Sequence, residues 1–127
     1  MGKNIGARLF LALSTLVWLP YGIYCFFAPG FLAGAAGVAS LSPTGSTELR
    51  AMYGGLQAGI GMLTLSGALS EAMTRPALLA IAFLCSGLGS TRLLGALIEG
   101  GISSYTISGL IFEFLSAGLA IHFLRRS

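Results

Sequence analysis

The chain has 127 residues, of which 55% are hydrophobic and only 9% charged, with a formal net charge of +3 and a mean hydropathy of +0.88. A soluble domain carries about 25% charged residues, so this chain cannot cover itself for water, and lipid is its expected solvent. The same arithmetic excludes intrinsic disorder, a nucleic-acid-binding domain, a disulfide-framed secreted module and a multidomain enzyme.

A spanning helix needs about twenty mostly apolar residues, and four stretches qualify: residues 8–27, 47–69, 76–98 and 104–124. The expected fold is all-α, an integral membrane four-helix bundle forming a single domain over residues 1–127. Lys3 and Arg8 precede the first run as in a signal peptide, but no small-x-small cleavage site follows, so the run is expected to stay as helix one. Gly2 is followed by Gly6 where a myristoylation pattern needs Ser or Thr. Ala28-Pro29-Gly30 ends helix one. Residues 31–41 are apolar but too short to span, which implies a short interfacial or re-entrant segment before the turn Ser42-Pro43-Thr44-Gly45-Ser46. Ser70 to Pro76 reads as a polar break whose proline suits the first turn of helix three. Glu99-Gly100-Gly101 stops that helix.

Orientation follows from basic residues near helix ends. With both termini cytoplasmic, Lys3, Arg8, Arg75, Arg125 and Arg126 fall inside, and Arg50 alone lies in an outer connection. The positive charge is then a topological signal and an attraction to anionic lipid, with no nucleic-acid partner implied.

Ionisable groups within spanning helices cost about 2.5 to 3.5 kcal/mol each at the bilayer centre, so each needs a partner, water or a function. On helix two, Arg50, Tyr53 and Gln57 fall within a sector of roughly 60°, shared by Gly54 and Gly61. Arg92 lies about 12 Å below the outer end of helix three, and Glu113 about 15 Å below the outer end of helix four. Opposite charges at similar depth predict an Arg92–Glu113 pair. Glu99 shares the face of Arg92 and opposes the helix dipole, with Arg50 as the expected offsetting cation. These six residues, Arg50, Tyr53, Gln57, Arg92, Glu99 and Glu113, compose a polar ligand-binding pocket open to the outer leaflet, with Tyr21 and Tyr24 as walls. The competing reading is that they fix helix register and bind nothing.

Small residues at four-residue spacing, Gly55 and Gly59 on helix two and Gly87, Thr91 and Gly95 on helix three, are expected to be packing seams, either within the chain or between two copies. Cys25 and Cys85 read as small core residues. No metal site is expected, because the chain has one histidine, His122, and no aspartate. No cofactor and no catalytic residue are indicated: no nucleophile, metal set or phosphate-binding loop accompanies Glu113.

The run Glu48-Leu49-Arg50-Ala51-Met52-Tyr53-Gly54-Gly55-Leu56-Gln57-Ala58-Gly59-Ile60-Gly61, with Arg92 and Glu113 on later helices, resembles an uncharacterised family of small four-helix bacterial membrane proteins. The Arg-x-x-Tyr-Gly-Gly core carries most of the likeness. The resemblance implies the bacterial inner membrane and brings no substrate or catalytic residue. Small multidrug transporters place an acid in helix one, which is missing here, and fluoride channels carry a Thr-Thr-Phe-Ser segment, also missing. The leading expectation is a noncatalytic multi-pass protein that binds membrane lipid, a small amphiphile or a partner membrane protein. The alternative is a homodimeric transporter or channel using a Glu113/Arg92 couple.

Overall fold

The computed structural model describes residues 4–126, so Gly2 and Lys3 lie outside the described residues. In chain order the elements are α1 (Ile5–Phe27), α2 (Phe31–Ala36), α3 (Pro43–Leu49), a π-wound segment (Arg50–Gly55), α4 (Leu56–Leu69), α5 (Glu71–Glu99) and α6 (Ser104–Arg126). The described residues are all-α, with no strand among them. Three helices, α1, α5 and α6, are long and apolar enough to cross a membrane.

Two helix starts differ from the sequence reading. Ser42 to Ser46 is no turn: the Ser42 hydroxyl accepts from the Gly45 N–H at 3.0 Å and Pro43 occupies the first helical position. These are a capping oxygen and a preset φ, which together start a helix. From there residues 43–69 are helical without a break, since Leu49, Arg50, Gly55 and Leu56 all keep right-handed helical angles at the joints. Nor is Ser70 to Pro76 a loop. Ser70 alone is extended, α5 begins at Glu71, and Pro76 lies inside it. The Thr74 hydroxyl reaches back to the Gly67 carbonyl at 2.8 Å, which ties the two helices across one residue. Pro76 is exposed, so the carbonyl it leaves unbonded on the preceding turn can be solvated.

Helix α1 and residues 50–69 run antiparallel and close together. A Cβ at Gly22 would stand 2.5 Å from the Ala58 nitrogen, one at Gly54 2.9 Å from the Phe26 Cα, one at Gly61 2.7 Å from the Leu19 nitrogen, and one at Gly67 2.8 Å from a Leu11 methyl. Midway, the Thr15 and Thr64 hydroxyls meet at 2.7 Å. Each also lies within bonding reach of a carbonyl of its own helix, so one hydroxyl can donate to its carbonyl while the other donates across, and both buried groups are satisfied. Each end of this pair is closed by an arginine from the opposite helix. Arg8 donates to the carbonyls of Ala68 (2.8 Å) and Leu69 (3.2 Å) at the end of α4, and Arg50 donates to the Phe26 carbonyl at the end of α1. The last carbonyls of a helix lack intrahelical donors and carry its negative dipole end, so a cation is favoured there.

Helices α5 and α6 form a second antiparallel pair, in which Gly89 lies against Phe114 and Gly109 against Arg92. Trp18–Phe112 and Phe10–Phe123 ring contacts, at 5.7 and 5.8 Å, join the two pairs. The interior mixes small groups, Ala7, Ala77, Cys85, Ala117 and Ala120, with the larger Leu11, Trp18, Leu78 and Ile81, while Leu16, Phe27, Phe83 and Ile98 are exposed. Cys25 and Cys85 are both buried and unbridged.

The expected glycine seams are not where the helices of this chain meet. No atom of another helix lies within 4 Å of a Cβ built at Gly55, Gly59, Gly87 or Gly95, and Thr91 is exposed with its hydroxyl bonded to the Gly87 carbonyl at 2.8 Å. The close face of helix two is the neighbouring one, Gly54 and Gly61. Glycines surround this helix, so local spacing does not select among its faces. The selection is made by the backbone of α1, which can approach only where no Cβ projects toward it.

Candidate functional site

The expected Arg92–Glu113 pair forms, in a fork: Arg92 Nε donates to Glu113 Oε1 at 2.9 Å and Nη2 to Oε2 at 2.8 Å. A bidentate charge-assisted pair is the strongest arrangement these two groups can make. It lies in a slot that two glycines open. A Cβ at Gly109 would come within 2.9 Å of Arg92 Nε, and one at Gly89 within 3.4 Å of the Glu113 Cβ. The pair is uneven, because the Arg92 side chain is 30% exposed and that of Glu113 only 6%. Both carboxylate oxygens are engaged. Nη1 of the guanidinium donates to no atom among the described residues.

One tyrosine ring lies under the guanidinium and a second tyrosine bonds to the first. The Arg92 guanidinium sits 6.0 Å over the ring of Tyr105, and the Tyr105 hydroxyl meets that of Tyr21 at 2.6 Å, while Tyr53 is half-buried on helix two. Gln57, one turn along from Tyr53, is half-buried and makes no hydrogen bond among the described residues. Cys85 on α5 and Ser116 on α6 are both buried. The indole N–H of Trp18, beside Phe112, is the one buried side-chain polar atom without a partner among the described residues.

Not all the expected members join. Arg50 is turned away, its guanidinium bonded to the Phe26 carbonyl and 5.5 Å from the Phe26 ring centre. Glu99 is exposed and has no ion pair among the described residues, so the expected Arg50–Glu99 offset does not form. The cause is the backbone. The π-wound segment coincides with Arg50-Ala51-Met52-Tyr53-Gly54-Gly55. Its wider turn departs from the regular 100° per residue on which a common face for Arg50, Tyr53 and Gln57 rests. Tyr24 is half exposed and packs on Phe31 at 5.1 Å, away from the pair. Tyr105 is the member that sequence reasoning missed. An aromatic residue in the first turn of a helix reads as an interfacial anchor, and only the length of the Arg92 side chain brings the two together.

Two open hollows lie elsewhere. One, of about 250 Å³, is lined by Pro29, Ala33, Val38, Ser40, Ser46 and Leu49. The other, of about 410 Å³, lies between Ile5, Arg8, Ala12, Leu65, Ala68 and Leu69. What the polar cluster offers is therefore an open guanidinium edge with the Tyr105 ring beside it.

A family model described as Domain of unknown function (DUF4345) matches residues 6–124. No curated protein and no solved structure matches the chain.

Proposed function

We propose, from the premise that this chain belongs to the DUF4345 family, that it is a noncatalytic four-crossing protein of a bacterial inner membrane whose outer half holds a small amphiphile by an anionic or carbonyl headgroup. Residues 43–69 supply the fourth crossing, being continuous in helix. Large apolar side chains face outward on all the long helices, a surface that lipid solvates and water does not. Arg8, Arg75, Arg125 and Arg126 gather at one end, as the Asn4–Glu71 bond (3.2 Å) and the Phe10–Phe123 contact indicate, and that end is cytoplasmic by the charge rule. A C-terminal reporter active only in the periplasm should give no signal. A positive signal would invert the topology.

The observation that carries the binding reading is the unevenness of the pair: its carboxylate is enclosed, while its guanidinium keeps an exposed edge. Arg92 receives the headgroup on that edge, and Tyr53 and Gln57 orient it by hydrogen bonds. A small molecule should therefore copurify with the protein. Gln57→Ala and Arg92→Lys, the second keeping the charge but losing the fork, should lower its occupancy by about tenfold with the thermal midpoint of Gln57→Ala unchanged. Unaltered occupancy in both variants would remove the site. Proton or ion flux in proteoliposomes that depends on Glu113 would replace this reading with the homodimeric transporter.

A further inference from the structure

We propose that the groove between the first turns of α1 and the last turns of α4 binds an anionic phospholipid, with one acyl chain in the groove and the phosphate on Arg8. The assignment rests on the membrane reading above, which puts this end at the cytoplasmic leaflet, but it concerns a different site from Arg92. The groove measures about 410 Å³, and its walls are aliphatic except for Arg8. Arg8 is half-buried and fixed: Nε and Nη2 are held by the Ala68 and Leu69 carbonyls, and Nη1 donates to no atom among the described residues. Those carbonyls are uncharged, so they orient the guanidinium and leave its full positive charge in place. Glu71, whose Oε2 accepts from the Asn4 side chain at 3.2 Å, makes no ion pair with Arg8 among the described residues.

A rigid cation at the mouth of an aliphatic groove matches an amphiphile with an anionic head. A free phosphate ion would leave the groove unused, and a zwitterionic head would bring a second cation toward Arg8. The guanidinium fork suits phosphate oxygens in particular. Ile5 and Leu69, 60% and 71% exposed, form rims along which the chain can enter from the bilayer.

The test reconstitutes the whole chain in vesicles of equal phosphatidylglycerol and phosphatidylcholine with identical acyl chains, extracts it in mild detergent at 0.15 M salt, and counts retained lipid by native mass spectrometry. The wild type should retain phosphatidylglycerol preferentially, and Arg8→Gln should lower that retention about tenfold, the value of a charge-assisted hydrogen bond. Arg126→Gln removes an exposed charge from the same end, screened over about 8 Å at this salt, and should change retention by less than about twofold. Ala12→Trp fills the groove with Arg8 in place and should lower retention of both lipids, which keeps the test decisive if Arg8→Gln does not fold. Free glycerol phosphate should not displace the lipid from the wild type. The loss on Arg8→Gln should be the same with and without Arg92→Lys in the same chain, which separates this site from the outer one. Equal retention of the two lipids by the wild type, equal losses in Arg8→Gln and Arg126→Gln, or displacement by free glycerol phosphate would overturn the proposal.

Discussion

Arg92→Ala should destabilise the detergent-solubilised protein by about 3 to 5 kcal/mol, the usual cost of stranding one member of a buried ion pair. The remaining carboxylate would be the enclosed member, with Glu113 only 4% exposed and both oxygens deprived of donors. Glu113→Ala should cost less, because the guanidinium it strands is already 30% exposed and can reach the interface. The order of the two single variants is therefore fixed by the asymmetry of burial. Combining Arg92→Ala with Glu113→Ala should cost less than Arg92→Ala alone, since no charge is then left unpaired. Reversible unfolding of the four proteins measures the cycle. Strict additivity, or a Glu113 variant less stable than the Arg92 variant, would contradict the geometry.

Gly22→Val should be at least as damaging, at about 3 kcal/mol or more, the upper end of overpacking costs. The contacts of a Gly22 Cβ are the Ala58 nitrogen at 2.5 Å and the Gly54 carbonyl oxygen at 2.7 Å. Both are main-chain atoms of an antiparallel helix, and no rotamer change can move them aside. The two helices would have to separate, with loss of the Thr15–Thr64 bond and strain on the arginine caps at both ends. Gly59→Ala and Gly87→Ala should behave oppositely. Each new methyl meets nothing within 4 Å, and alanine is favoured over glycine inside a helix by about 0.8 to 1 kcal/mol. Thermal midpoints of the three variants, measured side by side, check the assignment of the close face. A stable Gly22→Val protein would show that α1 does not approach helix two as described.

What the sequence by itself determined rests on quantities that repeat at every residue. Apolar runs of membrane length mark α1, α5 and α6 because each residue adds a constant rise along its helix. The same constancy put Arg92 and Glu113 at matching depth, and the cost of an isolated charge among apolar residues then left pairing as their natural arrangement. What only the tertiary structure decided depends on contacts between helices. Gly54, Gly55, Gly59 and Gly61 are equivalent as local signals, and the backbone of α1 singles out the first and last of them. Arg50 had one expected partner on sequence grounds, the carboxylate of Glu99, and the carbonyl end of α1 captured it because antiparallel packing brought that end alongside. Arg8, legible only as a positive charge near a helix start, became the cap of α4 for the same reason. The wider π turn over Arg50–Gly55 then separated the Arg50 guanidinium from the surroundings of Arg92. Rise along a helix is a local property of the chain, whereas the face a helix turns inward is settled by what its neighbours allow to come close.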